Sequence, residues 1–283
     1  MQAMLRHISP GWMLVAPFLL VLLAFYFGPL LNILWLSFTD PEPGLGNYEK
    51  LVTSDMLARI MWTTFRICLI TTAFSVTIGY SIAYAMVHAH QKNQHVMLTF
   101  LLVSFWISVL VRTFAWLMLL GRNGVVNNSF EAIGLISEPI AFMRNELGVL
   151  IGMVHYMVPY AVLPLMANMQ TLDPRVMAAS RNLGANGRQT FWRIYLPLTL
   201  PGLVASSLMV FILSLGFYIT PAVLGGGKVL MVAEYISVQL LVTLKWGTAA
   251  MLGTLMLLGV LALLWIMSRF MQLSTVFGGG ATR

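Results

Sequence analysis

Long apolar runs, almost free of charge, alternate with short polar segments along the chain. Six of these runs reach the roughly 20 residues with which an α-helix crosses the ~30 Å hydrocarbon core of a bilayer. They cover residues 12–38, 60–87, 96–120, 147–169, 202–224 and 248–270. The runs are continuous, whereas the strands of a membrane β-barrel would alternate apolar and polar residues. The pattern predicts an all-α integral membrane protein with six transmembrane helices.

The composition agrees with this prediction. Of the 283 residues, 59% are apolar and 9% are charged, whereas soluble domains carry about 25% charged residues. The first run follows Arg6, is longer than the apolar region of a signal peptide and ends without a cleavage-site pattern, so we expect an uncleaved span. The single cysteine, Cys68, lies inside the second run, so the chain holds no disulfide framework.

The distribution of charge predicts an orientation, because cytoplasmic segments of membrane proteins are enriched in Lys and Arg. With the N-terminus inside, the cytoplasmic segments hold eight basic residues and one acid, a net charge of +7. The outer segments then hold six basic and eight acidic residues, a net charge of −2. We therefore expect both termini in the cytoplasm.

Acidic residues are missing from the predicted spans. All nine Asp and Glu residues are expected in loops, whereas proton-coupled carriers rely on carboxylates within the membrane. The Gly-Gly-Gly-Lys segment at 225–228 lacks the upstream Gly and the following Ser or Thr of a phosphate-binding loop. If the protein pumps a solute, the energy must come from another chain, and we expect no cofactor in this one.

The polar segment 173–197, which carries four arginines, lies between the fourth and fifth spans. Asp173 is suited to cap a short helix that Pro174 begins and Gly184 ends. A second short helix over 188–195 is expected to stop before Pro197. The segment therefore predicts a compact pair of helices in the cytoplasmic loop 171–197.

This segment resembles the EAA loop of ABC-transporter permeases, which docks on a cytoplasmic ATPase. The family pattern is Glu-Ala-Ala, three residues, Gly, nine residues, Ile, one residue and Leu-Pro. The residues matched to it, and expected to dock on the ATPase, are Met177, Ala178, Ala179, Gly184, Ile194, Leu196 and Pro197. With Ala178 and Ala179 aligned to the two alanines, Met177 stands at the position of the Glu. A charged contact that this Glu would make with the ATPase is therefore in doubt.

Two further segments are similar to the Pot-type (spermidine/putrescine) permeases, and more to their B-type subunit. They run from Trp106 to Trp116 and from Phe217 to Gly226. The resemblance covers nearly the whole chain and implies a type I ABC importer permease with one transmembrane permease domain over 1–283, in the bacterial inner membrane. It also implies a heterodimer with a second such permease, two ATPase subunits, a periplasmic solute-binding protein, and import by alternating access.

Aromatic residues and one arginine in the spans are candidates for the substrate pathway or its gate. They are Trp106, Arg112, Tyr156, Phe217, Tyr218 and Pro221. Aromatic faces can hold a polyamine through cation–π contacts. Pro221 either forms a hinge together with Gly216 or merely ends the fifth helix. Arg112 either anchors the third span at the interface by pairing with a loop acid, or holds a gate or a substrate carboxylate.

Several alternatives remain open from the sequence. The solute can be a polyamine, an opine, a 4-aminobutyrate-like amino acid or a phosphonate, and a stand-alone carrier would work without an ATPase. His88, His90 and His95 crowd one segment without a second ligand-rich segment, so we expect no metal site. No acid–base constellation indicates an enzyme, so we expect no catalytic residues. Membrane lipids, and no nucleic acid, are expected as further partners.

Overall fold

The computed structural model describes the backbone of residues 10–278 and the side chains of residues 15–269. The helices are α1 (Pro10–Leu22), α2 (Gly28–Thr39), α3 (Gly46–Thr53), α4 (Asp55–His88), α5 (Gln91–Trp106), α6 (Val109–Leu119), α7 (Val125–Ala132), α8 (Glu146–Gln170), α9 (Pro174–Asn182), α10 (Gly187–Thr190), α11 (Leu196–Leu215), α12 (Ile219–Leu224), α13 (Val232–Leu241) and α14 (Trp246–Gly278). Two π-helical turns, Leu23–Phe27 and Phe191–Tyr195, join α1 to α2 and α10 to α11.

The prediction of an all-α membrane protein is confirmed. Within the described residues, five helical segments are long and apolar enough to span a bilayer, and a bent pair makes a sixth if it counts as one span. The five are Val15–Thr39, Asp55–His88, Glu146–Gln170, Gly187–Leu215 and Trp246–Arg269.

The chain forms two compact units. The first combines Met1–Leu57 with Tyr235–Leu264, and the second combines Ala58–Glu234 with Trp265–Arg283. A single permease domain over residues 1–283 stays a prediction.

The third span differs from the continuous helix expected over 96–120. Helix α5 ends at Trp106, α6 begins at Val109, and their axes differ by 95°. Ile107 and Ser108 have extended backbones, and the guanidinium of Arg112 donates to the carbonyl oxygens of Ser104 and Ile107. The arginine thus satisfies carbonyl groups that the end of α5 leaves without helical partners.

The fifth span also differs from its prediction. The helix does not stop before Pro197 but runs from Gly187 to Leu215. Pro197 lacks a backbone N–H, and the π-helical turn at Phe191–Tyr195 lies immediately before it. Such a turn changes the hydrogen-bond register of the helix, so the missing donor is absorbed without a break. The helix ends instead at Gly216, and α12 follows as a separate element.

Small residues bring the helices of the second unit together. Helices α8 and α11 form its most extensive pair, and a Cβ on Gly202 of α11 would lie 2.7 Å from the side chain of Asn168 on α8. A Cβ on Gly79 of α4 would lie 2.7 Å from the Cβ of Ala161 on α8. Close approach at small residues is how helices associate in a membrane, where lipid tails are as apolar as the side chains.

One asparagine organises the ends of three elements in the first unit. The amide of Asn47 on α3 donates to the carbonyl oxygens of Ser37 (3.2 Å) and Asp40 (2.7 Å), at the end of α2. The carboxylate of Asp40 accepts from the backbone N–H of Gly247 at 2.6 Å, which caps the start of α14. Polar groups thus fix the ends of α2, α3 and α14 against one another.

Candidate functional site

The segment from α9 to α11 has the capped, compact geometry that the sequence predicts. Asp173 Oδ1 accepts from the backbone N–H of Arg175 at 2.8 Å, and Pro174 is the first residue of α9. Gly184 has a φ of +83° and follows the end of α9. Asn186 and Gln189 then form a reciprocal capping box at the start of α10. The predicted N-cap and the turn at Gly184 are confirmed.

The spacing within the segment changes which residues align with the Glu-Ala-Ala part of the EAA pattern. Four residues lie between Ala179 and Gly184, whereas the EAA pattern has three. With Gly184, Ile194 and the Leu-Pro pair kept at their spacing, the position of the Glu is Ala178, and not Met177. The two alanine positions then correspond to Ala179 and Ser180.

The structure gives a physical reason for a small residue at position 180. Ser180 is buried, and its hydroxyl donates to the carbonyl oxygen of Met177 at 2.9 Å. The same hydroxyl lies 3.0 Å from that of Thr190, which is also buried. Ser180 and Thr190 therefore join α9 to α10. Sequence reasoning missed both residues, although correct counting back from Gly184 would have pointed to Ser180.

The predicted docking residues differ in their exposure. Ala178, Ala179, Gly184 and Pro197 are exposed, whereas Met177, Ile194 and Leu196 are half-buried. Met177 packs on the core of the second unit. The exposed small residues leave a surface that another protein can approach closely. Their role in docking stays a prediction.

Aromatic rings attach this segment to α4. The ring centroid of Tyr84 lies 5.7 Å from that of Phe191 and 5.2 Å from that of Tyr195, both edge-to-face. The hydroxyls of Tyr80 and Thr199 are 3.0 Å apart. His88 stacks on the ring of Tyr84 at 4.2 Å. These contacts join the π-helical turn and the start of α11 to the end of α4.

A second cluster surrounds Arg112 on α6. The side chain is 6% exposed, and its guanidinium carbon lies 4.8 Å from the centroid of the Tyr156 ring. Tyr156 in turn lies 4.6 Å from Phe217 and stacks on Tyr160 at 5.6 Å, measured between ring centroids. Three of the predicted pathway residues, Arg112, Tyr156 and Phe217, are therefore brought together.

In the described structure, Arg112 is buried and bound to backbone oxygens. Its hydrogen bonds go to carbonyl oxygens rather than to a loop acid, and its burial leaves little surface for a substrate carboxylate. Among the side chains of residues 15–269, the ion pair that forms is between Arg66 and Glu146. Arg112 instead clamps the break between α5 and α6, and its role in gating stays a prediction.

The other predicted pathway residues have different surroundings. Trp106, at the end of α5, is 83% exposed, and Tyr218, before α12, is 43% exposed. Pro221 is buried in α12, and its carbonyl oxygen accepts from the N–H of Gly225 at 2.8 Å. Pro221 thus contributes to the turn after α12, and its predicted hinge role remains untested.

Sequence reasoning missed a histidine within the fourth span. The indole N–H of Trp116 donates to Nδ1 of His155 at 3.1 Å, and both side chains line a largely apolar cavity of about 560 Å³. Because the indole is only a donor, Nδ1 of His155 must accept, so a neutral His155 carries its proton on Nε2. His155 lies in the middle of an apolar run, and a polar residue at such a position marks a candidate functional residue in the sequence alone.

Glu234 is expected in a loop from the sequence but lies in the first turn of α13. It is 8% exposed, and burial raises the pKa of its carboxyl above the ordinary value of 4.5. Its Oε2 atom has no hydrogen-bond partner in the described structure. Thr64 accepts from the backbone N–H of Val232 at 2.9 Å, which attaches the start of α13 to α4. A buried carboxylate therefore lies in the short helix between the fifth and sixth predicted spans.

A family model described as "Binding-protein-dependent transport system inner membrane component" matches residues 75–273, well over half of the chain. The chain belongs to this family and is a multi-pass transport permease of the inner membrane. The resemblance predicted from the EAA-like and Pot-type segments is confirmed.

Curated relatives of the chain agree with the family. The spermidine/putrescine transport system permease protein PotB of Haemophilus influenzae is 34% identical over 73% of this chain and 73% of its own length. PotB of Escherichia coli K12 is 31% identical over 80% of this chain and 84% of its own length. A solved bacterial ABC transporter for the acidic polysaccharide alginate has a similar fold. Its TM-score is 0.76 at 18% identity, covering 95% of this chain and 98% of that one.

Proposed function

We propose that this permease moves a polyamine such as spermidine or putrescine from the periplasm to the cytoplasm, as a subunit of an ATP-driven importer. The observation that carries the proposal is the similarity to polyamine permeases over most of the chain. The geometry of the α9–α11 segment adds support, because it presents exposed small residues on a rigidly capped turn.

The proposal includes the partners that the family resemblance implies. A second homologous permease completes a heterodimer, and two copies of a cytoplasmic ATPase bind ATP and Mg²⁺. A periplasmic solute-binding protein delivers the solute, in agreement with the family's description as binding-protein-dependent. Both termini and the segment 171–197 lie in the cytoplasm, in agreement with the positive charge of these segments.

A continuous helix provides the route from ATP hydrolysis to the membrane. The segment Gly187–Leu215 has 29 residues, and at 1.5 Å per residue it is about 44 Å long. Its first turns belong to the docking segment. Its last turn is followed at Gly216 by a break beside Phe217, which contacts Tyr156. A displacement of α10 by the ATPase therefore reaches the Arg112 cluster along one rigid element.

The cluster also limits how a polyamine can be held. The guanidinium of Arg112 occupies one face of Tyr156, so a second cation at that face would be repelled. The half-exposed ring of Tyr218 is free of such a neighbour among the described residues. Weak cation–π contacts of this kind suit a pathway, because tight binding there would slow release.

Uptake into cells that lack their own polyamine importers tests the proposal. The chain is expressed with its partner subunits, and uptake of radiolabelled putrescine and spermidine is measured. We expect uptake that competing polyamine reduces and that 2-aminoethylphosphonate leaves unchanged. The second solute is the control, because a putative permease for 2-aminoethylphosphonate in Salmonella choleraesuis is 24% identical to this chain. Uptake of radiolabelled 2-aminoethylphosphonate, without polyamine uptake, would contradict the proposed substrate but not the permease role.

A further inference from the structure

A cavity of about 350 Å³ lies in the first unit, at the ends of three spanning helices. Asp40 and Pro41 line it immediately after α2, Ser54 immediately before α4, and Lys245 immediately before α14. The hydrocarbon core excludes the charged side chains of Asp40, Lys50 and Lys245, so the cavity belongs at one membrane surface, where the lipid headgroups lie.

Hydrogen-bond donors dominate the lining of this cavity. Lys50 and Lys245 contribute two ammonium groups, and neither is in an ion pair among residues 15–269. Lys50 Nζ has only a long contact of 3.4 Å, to the side-chain oxygen of Asn47. Ser54, Tyr235 and Thr248, which carry hydroxyls, also line the cavity. The Thr248 hydroxyl has only a long contact of 3.5 Å, to the side-chain oxygen of Asn47.

Two side-chain acceptors of the lining already have a donor. One carboxylate oxygen of Asp40 accepts from the N–H of Gly247 at 2.6 Å. The amide oxygen of Gln239 accepts from the Thr243 hydroxyl at 2.8 Å, so Gln239 has only its NH₂ group to offer. The lining therefore carries two ammonium groups against the one carboxylate of Asp40, together with amide and hydroxyl donors, which suits an anion such as a phosphate group.

The surface beside the cavity distinguishes a lipid from a free ion. Leu241 at the end of α13, and Val242 and Leu244 in the turn that follows, are 64% to 75% exposed. Trp246, the first residue of α14, is 51% exposed, and tryptophan is enriched at membrane interfaces. An apolar rim next to a donor-rich cavity fits an amphiphile, because acyl chains cover the rim while the headgroup fills the cavity.

We propose that this cavity binds the phosphate group of an anionic phospholipid, with Lys50 and Lys245 as its two cationic ligands. The amide of Gln239 and the hydroxyls of Ser54 and Thr248 supply further donors. The bound lipid joins the ends of α2, α3 and α14, which Asn47 and Asp40 already connect.

The test measures lipid bound to the full-length chain, purified with its co-purifying subunits. The protein is placed in nanodiscs that contain phosphatidylglycerol and phosphatidylcholine. It is then transferred to detergent, and the lipid that stays bound is counted by mass spectrometry. In the Lys50→Gln/Lys245→Gln double variant we expect the affinity for phosphatidylglycerol to fall about 25-fold. This is about fivefold for each lysine, because a basic residue near an anionic lipid surface contributes about 1 kcal/mol.

Three controls make the result decisive. Lys228→Gln removes an exposed lysine that does not line the cavity, and we expect it to bind phosphatidylglycerol as the unchanged chain does. The Lys50→Arg/Lys245→Arg double variant keeps both charges and should retain the lipid. Thermal unfolding in uncharged detergent checks that each variant is folded.

Equal phosphatidylglycerol binding by the Gln double variant and the unchanged chain would overturn the proposal. Displacement of the lipid by millimolar inorganic phosphate would also overturn it, since the cavity would then take the free ion. A Gln double variant that keeps its lipid but loses affinity for the solute-binding protein would assign the lysines to protein docking instead.

Discussion

Glu234 is the residue whose surroundings fit its chemistry least well. It is 8% exposed, and its Oε2 atom lacks a partner in the described structure. An ionised carboxylate in such a position is destabilised by lost hydration, so burial raises its pKa above the ordinary value of 4.5. The folded chain therefore holds this proton more tightly than the unfolded chain does.

This difference predicts how stability depends on pH. Between pH 4.5 and the raised pKa, the folded state binds more protons than the unfolded state, so the free energy of unfolding falls as pH rises through that window. Glu234→Gln removes the ionisable group. We expect the variant to unfold at a higher temperature at neutral pH, by about 2–4 °C for each kcal/mol of desolvation removed. Thermal unfolding of the purified protein at several pH values measures this.

The matched control for Glu234→Gln is Glu131→Gln, because Glu131 is exposed at the end of α7. We expect it to leave the pH profile unchanged. Identical profiles for Glu234→Gln and the unchanged chain would show that the carboxyl is paired or hydrated in the assembled protein.

Residue-level prediction worked where the chemistry is local. Asp173 and Gly184 were identified because capping and positive φ depend on a few neighbouring residues. Ser180 and Thr190 were missed because their importance lies in one contact between two helices. The clamp formed by Arg112 depends on the break after α5 and on Tyr156 in another helix, so no local pattern in the sequence contains it.

Gly184 lies at the turn between α9 and α10 and has a φ of +83°. A Cβ added to this glycine would meet no other atom within 4 Å. The residue type at position 184 is therefore limited by the left-handed backbone conformation and not by the space for a side chain. Asparagine adopts this conformation readily, whereas a β-branched residue resists it at a cost of about 1–2 kcal/mol. We expect Gly184→Asn to keep the co-purifying ATPase, and Gly184→Val to lose most of it.

Pull-down of the ATPase through the permease measures this effect. Gly184→Asn is the matched control, because it also adds a side chain but tolerates the backbone. If both variants retained the ATPase equally, the geometry of this turn would not matter for docking, and the docking segment would have to lie elsewhere.

Long elements were predictable from apolar runs, and their interruptions were not. The runs at 60–87 and 147–169 correspond to α4 and α8. The break between α5 and α6 lies inside an apolar run and was not predicted. It is tolerated there because Arg112, rather than water, donates hydrogen bonds to the carbonyl groups that the break frees. The continuous helix through Pro197 depends on a π-helical turn, which hydrophobicity does not reveal.

At the scale of the whole molecule, the predicted orientation remains to be measured. Cysteine accessibility tests it, because the natural Cys68 is fully buried and should not react. With both termini inside, we expect His90→Cys, in the exposed turn before α5, to react with a membrane-impermeant maleimide only after spheroplasts are permeabilised. Lys228→Cys, on the exposed turn before α13, should react in intact spheroplasts. The opposite pattern would reverse the orientation.

Composition and charge were enough to predict the class of molecule, because a bilayer imposes long apolar helices on any spanning chain. The cavity beside Lys50 and Lys245 was beyond reach. Its lining comes from residues 40 to 57 and from residues 235 to 248, which are far apart in the sequence. Such a site becomes visible only when the ends of several spans are placed together.

The clamp formed by Arg112 has a consequence for biogenesis. Helix α6 has 11 residues, too few to cross a bilayer alone, and it carries Arg112 in its first turn. An arginine opposes insertion into the membrane, by about 2.5–3.5 kcal/mol at the centre of a span. The face of Tyr156 on α8 offsets part of that cost, but α8 emerges from the ribosome later. We therefore expect α6 to wait at the membrane surface and to enter the lipid together with α8, so that insertion and packing of this region are one event.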